Sequence, residues 1–213
     1  MPITTPVMAK GLAALVVLLL LVATGYAAAV AAGAPTSSGD PRRYVLELGD
    51  LPTGFKQAVS SYRTAEDAAY QSPISAASYR GWGFSRGYEA IYALTAQQAQ
   101  APRFAGIRAV VAVADLYVTD TGAERSLTAR ATICRKPPYR KLSLRGFAIG
   151  QQTFLCKARA ATQEAYALYW RHGAIDAFVV AVSRTATSLP QQRAVTLVEQ
   201  LANIQQRRIA SSK

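Results

Sequence analysis

The chain has 213 residues, 51 % of them apolar and 17 % charged, with 24 Lys and Arg against 12 Asp and Glu. That composition excludes a disordered protein, and the roughly 180 residues beyond the apolar start suffice for a core without metals or dense disulfides. The net charge of +12 favours anionic surroundings such as phospholipid head groups, acidic polymers or an acidic partner, and says nothing about fold.

Lys10 precedes eleven strongly apolar residues, Leu12 to Val22, and no charge occurs from Gly11 to Ala34. Two readings of residues 1–34 stay open. Ala27-Ala28-Ala29 and Ala29-Val30-Ala31 offer the small residues of a secretory cleavage site. The 24 uncharged residues would also make about 36 Å of helix, enough for an N-terminal transmembrane anchor. Both readings imply export: the protein sits in the cell membrane facing outside the cytoplasm, or is secreted. Residues 35–43 read as a flexible linker, 44–208 as one extracytoplasmic domain and 209–213 as a tail.

Within the domain, Tyr44 to Leu48 reads as a strand, Asp50 to Gly54 as a turn and Phe55 to Ser60 as a second strand. Thr64-Ala-Glu-Asp67 marks a helix start, carried to about Tyr70. Pro73 interrupts, and a second short helix runs to Tyr79. Trp82 to Ala93 is the clearest alternating strand, with Trp82, Phe84, Tyr88 and Tyr92 expected on one face. Thr95 to Gly106 is loop or a short helical turn. Ala109 to Val118 is nearly apolar throughout, which suits a central strand covered on both faces.

Thr121 to about Arg135 spaces Leu127, Ala131 and Cys134 as a helix, ended by Pro137-Pro138. Ser143 to Ile149 reads as extended and Gln152 to Ala158 as a strand. Tyr166 to Arg171 and Ala174 to Ser183 form a hairpin across His172-Gly173. The final helix has Ser188 as cap, Pro190 in its first turn and an apolar stripe of Ala194, Leu197, Val198, Leu201 and Ile204. Strand, helix, strands, helix, strands, helix is the order of an α+β domain, an antiparallel sheet packed by helices in a layered sandwich, preceded by one hydrophobic helix.

Leu48-Gly-Asp-Leu-Pro-Thr-Gly-Phe55 resembles the DLPxGF opening of many exported bacterial proteins. The closing order is similar to exported domains of the PsbP-like α/β/α sandwich type: Ile149-Gly150, a strand, the hairpin at Arg171-His172-Gly173, the strand of Phe178-Val179-Val180 and an amphipathic helix. In many of those an Asp follows the Ile-Gly pair, where Gln151 stands here. The resemblance implies a binding or accessory module and transfers no catalytic residue.

Cys134 and Cys156, in a chain that leaves the cytoplasm, are expected to form a disulfide. From Arg125 to Arg159 there are nine Lys or Arg and no acid. The patch expected to matter is Arg135, Lys136, Arg140, Lys141, Arg145, Lys157 and Arg159, with the disulfide gathering Arg135, Lys136, Lys157 and Arg159. It would meet an anionic membrane or partner subunits. Trp82, Phe84, Tyr88 and Tyr92 are core, or else line a cleft for a small apolar or anionic ligand. Arg86-Gly-Tyr88 echoes an RNA-recognition strand, but export removes nucleic acid from the expected partners. The single His, His172, is expected exposed in its hairpin turn, and Asp50 is expected to stabilise its own turn. The six Asp are scattered, and no Walker loop, GxSxG or HExxH occurs. Neither an enzyme, a metal nor a cofactor is expected.

Overall fold

A computed structural model describes residues 39–101, 104, 106–184 and 191–211. The N-terminal apolar segment, most of the proposed linker, and Ser188 and Pro190 lie outside the described residues. Among the described residues no helix is long and apolar enough to cross a membrane.

Seven strands form one sheet: β1 Lys56–Arg63, β2 Phe84–Ala93, β3 Ile107–Tyr117, β4 Tyr139–Leu142, β5 Gln152–Arg159, β6 Gln163–His172 and β7 Ile175–Arg184. Their order is β1-β2-β3-β7-β6-β5-β4, and every neighbouring pair is antiparallel. Among the described residues five helices accompany them: α1 Ala65–Tyr70, α2 Ala76–Gly81, α3 Ala96–Ala99, α4 Asp120–Ile133 and α5 Gln191–Ser211. The class is therefore α+β, an antiparallel sheet packed by helices.

Local chemistry sets most helix starts. Thr64 and Asp67 form a reciprocal capping box on α1, and Ser75, Thr95 and Thr119 cap α2, α3 and α4. The cap of α4 is Thr119, so this helix begins one residue before the expected start at Thr121.

Tyr44 to Leu48 is not a strand. Asp40 accepts from the Arg42 amide and starts a 3-10 turn at Pro41–Tyr44, and a second turn covers Leu48–Asp50. Val45 and Leu46 are buried between them without a strand partner, and Leu46 accepts the Tyr92 hydroxyl through its carbonyl. Ser143 to Ile149 is likewise irregular, and the strand missed by periodicity is β4, the four residues immediately before it.

Helices lie on both faces of the sheet. The front face carries α5, whose Val198, Leu201 and Ala202 pack on Tyr92, Val110, Leu168 and Trp170. The Gln205 side chain reaches the Val113 carbonyl (2.9 Å), and Arg208 ties the end of α5 to Glu47 (2.9 Å) and Asp50 (2.8 Å). Asp50 also accepts from the Glu47 amide at 2.7 Å, so it does stabilise its own turn. The back face carries α1, α2 and α4. At about 1.5 Å per residue, α4 is about 21 Å long, and it leads from β3 in the sheet's middle toward β4 at its far edge.

Candidate functional site

Strand register arranges the back face in rows across the sheet. The first row is Arg63, Gly87, Asp115, Asp176 and Arg171, contributed by β1, β2, β3, β7 and β6 in that order. Two carboxylates thus stand directly opposite each other in the middle of a sheet, each 0 % exposed. Like charges in that relation repel, and burial amplifies the repulsion.

Helix α4 resolves the conflict. Arg130 donates from Nε to Asp176 (3.0 Å) and from Nη2 to Asp115 (3.1 Å), and the Ser126 hydroxyl donates to Asp176 at 2.6 Å. Residues 126 and 130 are one helical turn apart, so both side chains descend together. Arg63 approaches Asp115 from the β1 edge at 3.4 Å. Gly87 makes the room: a Cβ there would stand 2.2 Å from Asp115 Oδ1.

The second row is Glu89, Val113, Phe178, Tyr169 and Phe154. Phe154 and Tyr169 stack at 4.9 Å, and Tyr169 meets Phe178 at 5.0 Å. The Arg130 guanidinium lies over Phe178 at 4.8 Å and near the rings of Tyr79 and Tyr169.

These surroundings move the titrations apart. Burial pushes the Glu89 carboxyl up, against the lowering pull of Arg63. Burial also pushes Asp176 up, with Arg130 opposing it. Burial works against the Arg130 charge, but Tyr79, Asp176 and Asp115 outweigh it, so the guanidinium is held ionised more firmly than usual. Burial takes the Tyr169 hydroxyl up to about 12. A paired, desolvated cluster of this kind orders the fold. His172 lies on the opposite face of the sheet from this cluster, with the front-face parity of Trp170.

The expected sites fall as follows. Cys134 and Cys156 are bonded, with Cα atoms 5.8 Å apart, and join the end of α4 to β5. The basic residues do not form one patch. Strand alternation puts Lys157 and Arg159 on the opposite face from Cys156, so the disulfide does not gather them with Arg135 and Lys136. Lys157 and Arg159 instead share Glu164, at 3.1 and 3.6 Å. Arg135, Lys136, Arg140, Lys141 and Arg145 are exposed around the β4 edge, and no ion pair occurs among them in the described residues.

The four aromatics divide between the two faces. A bulge between Phe84 and Arg86 shifts the register, so Tyr88 and Tyr92 enter the front core while Trp82 and Phe84 join Tyr79 and Tyr117 on the back. They do not line one cleft. His172 is half-buried, not exposed: β6 runs through it and the turn falls on Gly173. Gln206 bridges its Nδ1 (3.0 Å) and the Trp170 indole, which donates at 2.9 Å. Among the described residues no group of three His, Cys, Asp or Glu could hold a metal ion.

No family model and no curated protein matches the chain. Among solved structures it is similar to the extracellular domain of PknH from Mycobacterium tuberculosis. The identity is 11 %, the TM-score 0.45, and the match covers 78 % of this chain and 98 % of that one.

Proposed function

We propose that this chain is a non-enzymatic extracytoplasmic accessory module, held at a membrane by its N-terminal apolar segment, that engages anionic head groups through the β4 edge. The observation that carries the reading is the set of five exposed cations there, Arg135, Lys136, Arg140, Lys141 and Arg145, without an ion pair among the described residues. Cations near an anionic bilayer contribute about 1 kcal/mol each, so five together give a specific, salt-sensitive attachment. The disulfide supports a life outside the reducing cytoplasm. The DLPxGF-like opening supports an accessory role, and its Asp50 is engaged with Arg208 and available to no substrate.

The bland account of the same cations is edge protection, since β4 is short, charged and preceded by Pro137-Pro138. Vesicle flotation separates the two. Protein purified from membranes is mixed with phosphatidylglycerol or phosphatidylcholine vesicles of the same curvature. Binding to the anionic vesicles is expected to fall about a thousandfold or more on reversing Arg135, Lys136, Arg140 and Lys141 to Glu, and to weaken steeply with salt. Unchanged binding by the reversed protein rejects the membrane role of this edge.

A further inference from the structure

The two edges of the sheet differ. β4 has four residues, carries Arg140 and Lys141 and follows Pro137-Pro138. Short length, charge and proline are what keep a sheet edge from pairing with another chain. β1 has eight residues, and from Gln57 to Tyr62 it holds no charge, proline or glycine. Seven of its eight residues are exposed. Arg63, the cation at its end, is turned inward to Asp115 and does not guard the edge. β1 pairs with β2 alone, and among the described residues no other backbone group bonds to its outer side. A bulge between Gln57 and Val59 lies near its start and leaves Val59 to Arg63 regular.

Exposed apolar side chains gather at the same edge. Among the described residues Leu48, Val59, Tyr62, Tyr70 and Val118 are the large ones, and two of them lie on β1 while Tyr70 ends the helix that follows it. The Tyr62 ring is 55 % exposed yet held in place. It meets Tyr88 edge-on at 5.1 Å, and its hydroxyl donates to Asp40 at 3.1 Å. A ring fixed in orientation loses little entropy when its open side is covered.

An open edge accepts an added strand. The residues of β1 suit a second β1. A two-fold antiparallel pairing that uses all of Val59 to Arg63 is centred on Ser61. Ser61 then faces Ser61 of the second copy, and Tyr62 faces Ser60, a large ring against a small group, on both sides of the axis. The same pairing brings Lys56 of each copy toward the first turn of α1 in the other, which carries Glu66 and Asp67. Glu66 is 63 % exposed in its pair with Arg80, which leaves room for a second cation. The net charge opposes self-association, but the β4 cations lie six strand spacings away. At about 4.8 Å each that is about 29 Å, well beyond a screening length of about 8 Å.

We propose that two copies of this chain associate through β1, pairing antiparallel about Ser61 to make one continuous sheet. This surface lies at the opposite edge from the cations of the proposed membrane contact and stands or falls without them.

The test is sedimentation equilibrium on the full-length protein in a density-matched non-ionic detergent. A monomer–dimer equilibrium is expected, with a dissociation constant of about 1–100 μM, as suits a small interface. Ser61→Lys and Ser61→Glu, at an exposed position, are each expected to weaken it at least about tenfold, because like charges then face each other. An equimolar mixture of the two variants is expected to recover the dimer. Reversing Arg140 and Lys141 to Glu is expected to leave it unchanged. Should either Ser61 variant lose its near-ultraviolet dichroism, a photo-crosslinker at Val59 in membranes of producing cells decides: it is expected to join two full-length chains. A monomer at every concentration up to about 100 μM, Ser61 variants that dimerise like wild type, a mixture no tighter than either variant alone, or loss of the dimer on reversing Arg140 and Lys141 overturns the proposal. So does a crosslinker at Val59 that captures residues 1–38 of its own chain, or another protein, and no second copy.

Discussion

Replacing Arg130 with Met removes one charge and keeps most of the side-chain volume. Its effect follows from the row beneath it. Asp115 and Asp176 are direct cross-strand partners, so their carboxylates stand about 5 Å apart. At an effective dielectric near 20, two unit charges at that distance repel by about 3 kcal/mol. Arg130 now opposes this repulsion with hydrogen bonds at 3.0 and 3.1 Å to the two groups. Breaking a buried pair by deleting one partner costs about 3–5 kcal/mol, in line with that figure. Among domains of this size the melting temperature should fall by roughly 6–20 °C.

The loss should also depend on pH. Asp176 is already pushed up by burial, with Arg130 as its main opponent, so it rises further in the variant. A carboxyl whose folded value lies above its unfolded one contributes stability below the unfolded value and loses it as pH rises through the folded one. The variant is therefore nearest to wild type in acid and furthest at neutrality. Urea melts of the oxidised protein at pH 7 and pH 5 check both points. Adding Asp176→Asn should recover about 1–3 kcal/mol at pH 7. A loss under about 1 kcal/mol at pH 7, or one equally large at pH 5, refutes the reasoning.

Gly87→Ala should cost about 1–3 kcal/mol in the same melts, because the new methyl displaces the Asp115 carboxylate, whereas Gly81→Ala, with nothing within 4 Å of its Cβ, should be neutral or slightly stabilising. Reducing the Cys134–Cys156 bond, or replacing both with Ser, should lower stability by about 3 kcal/mol for its 22-residue separation, seen as a melting shift that reductant produces only in wild type. Glu89→Gln should flatten the pH dependence: the Glu89 carboxyl is pushed up by burial, so wild type loses stability as pH rises through that raised value and the Gln protein does not. Equal slopes of stability against pH in the two proteins would remove Glu89 from the account.

What the sequence made legible was local. The box of Thr64 and Asp67, the turn at Gly173 and the apolar run of β3 each depend on a few adjacent residues, and each falls close to its expected place. What failed was non-local. Val45 and Leu46 have strand composition but no neighbouring strand to pair with. Tyr-Arg-Lys-Leu142 has too few residues and too many charges to show a period, yet pairs with β5 because the chain returns beside it. The Phe84/Arg86 bulge is a property of the pairing, and it alone moves two of four aromatics to the other face.

The charged row escaped for the same reason, since its members come from five elements. A signal was nevertheless present. Asp115 in Ala-Val-Ala-Asp-Leu and Asp176 in Ala-Ile-Asp-Ala-Phe are lone acids inside apolar strands. A carboxylate in such a setting is buried and must be paired. Looking for the matching cations would have led to Arg130, whose helix otherwise places it in a polar stretch.

The place of β7 has a consequence for the order in which the molecule is made. β1, β2 and β3 form one antiparallel run and β4, β5 and β6 another, and β7 is the strand that joins them, paired to β3 on one side and β6 on the other. A chain delivered N-terminus first therefore emerges as two unjoined half-sheets. The seam closes only when residues 175–184 arrive, and the Asp115–Asp176 encounter that Arg130 neutralises happens at that moment. Until then the core between sheet and helices is incomplete. Helix α5 follows β7 in the chain and packs on the front face of the joined sheet.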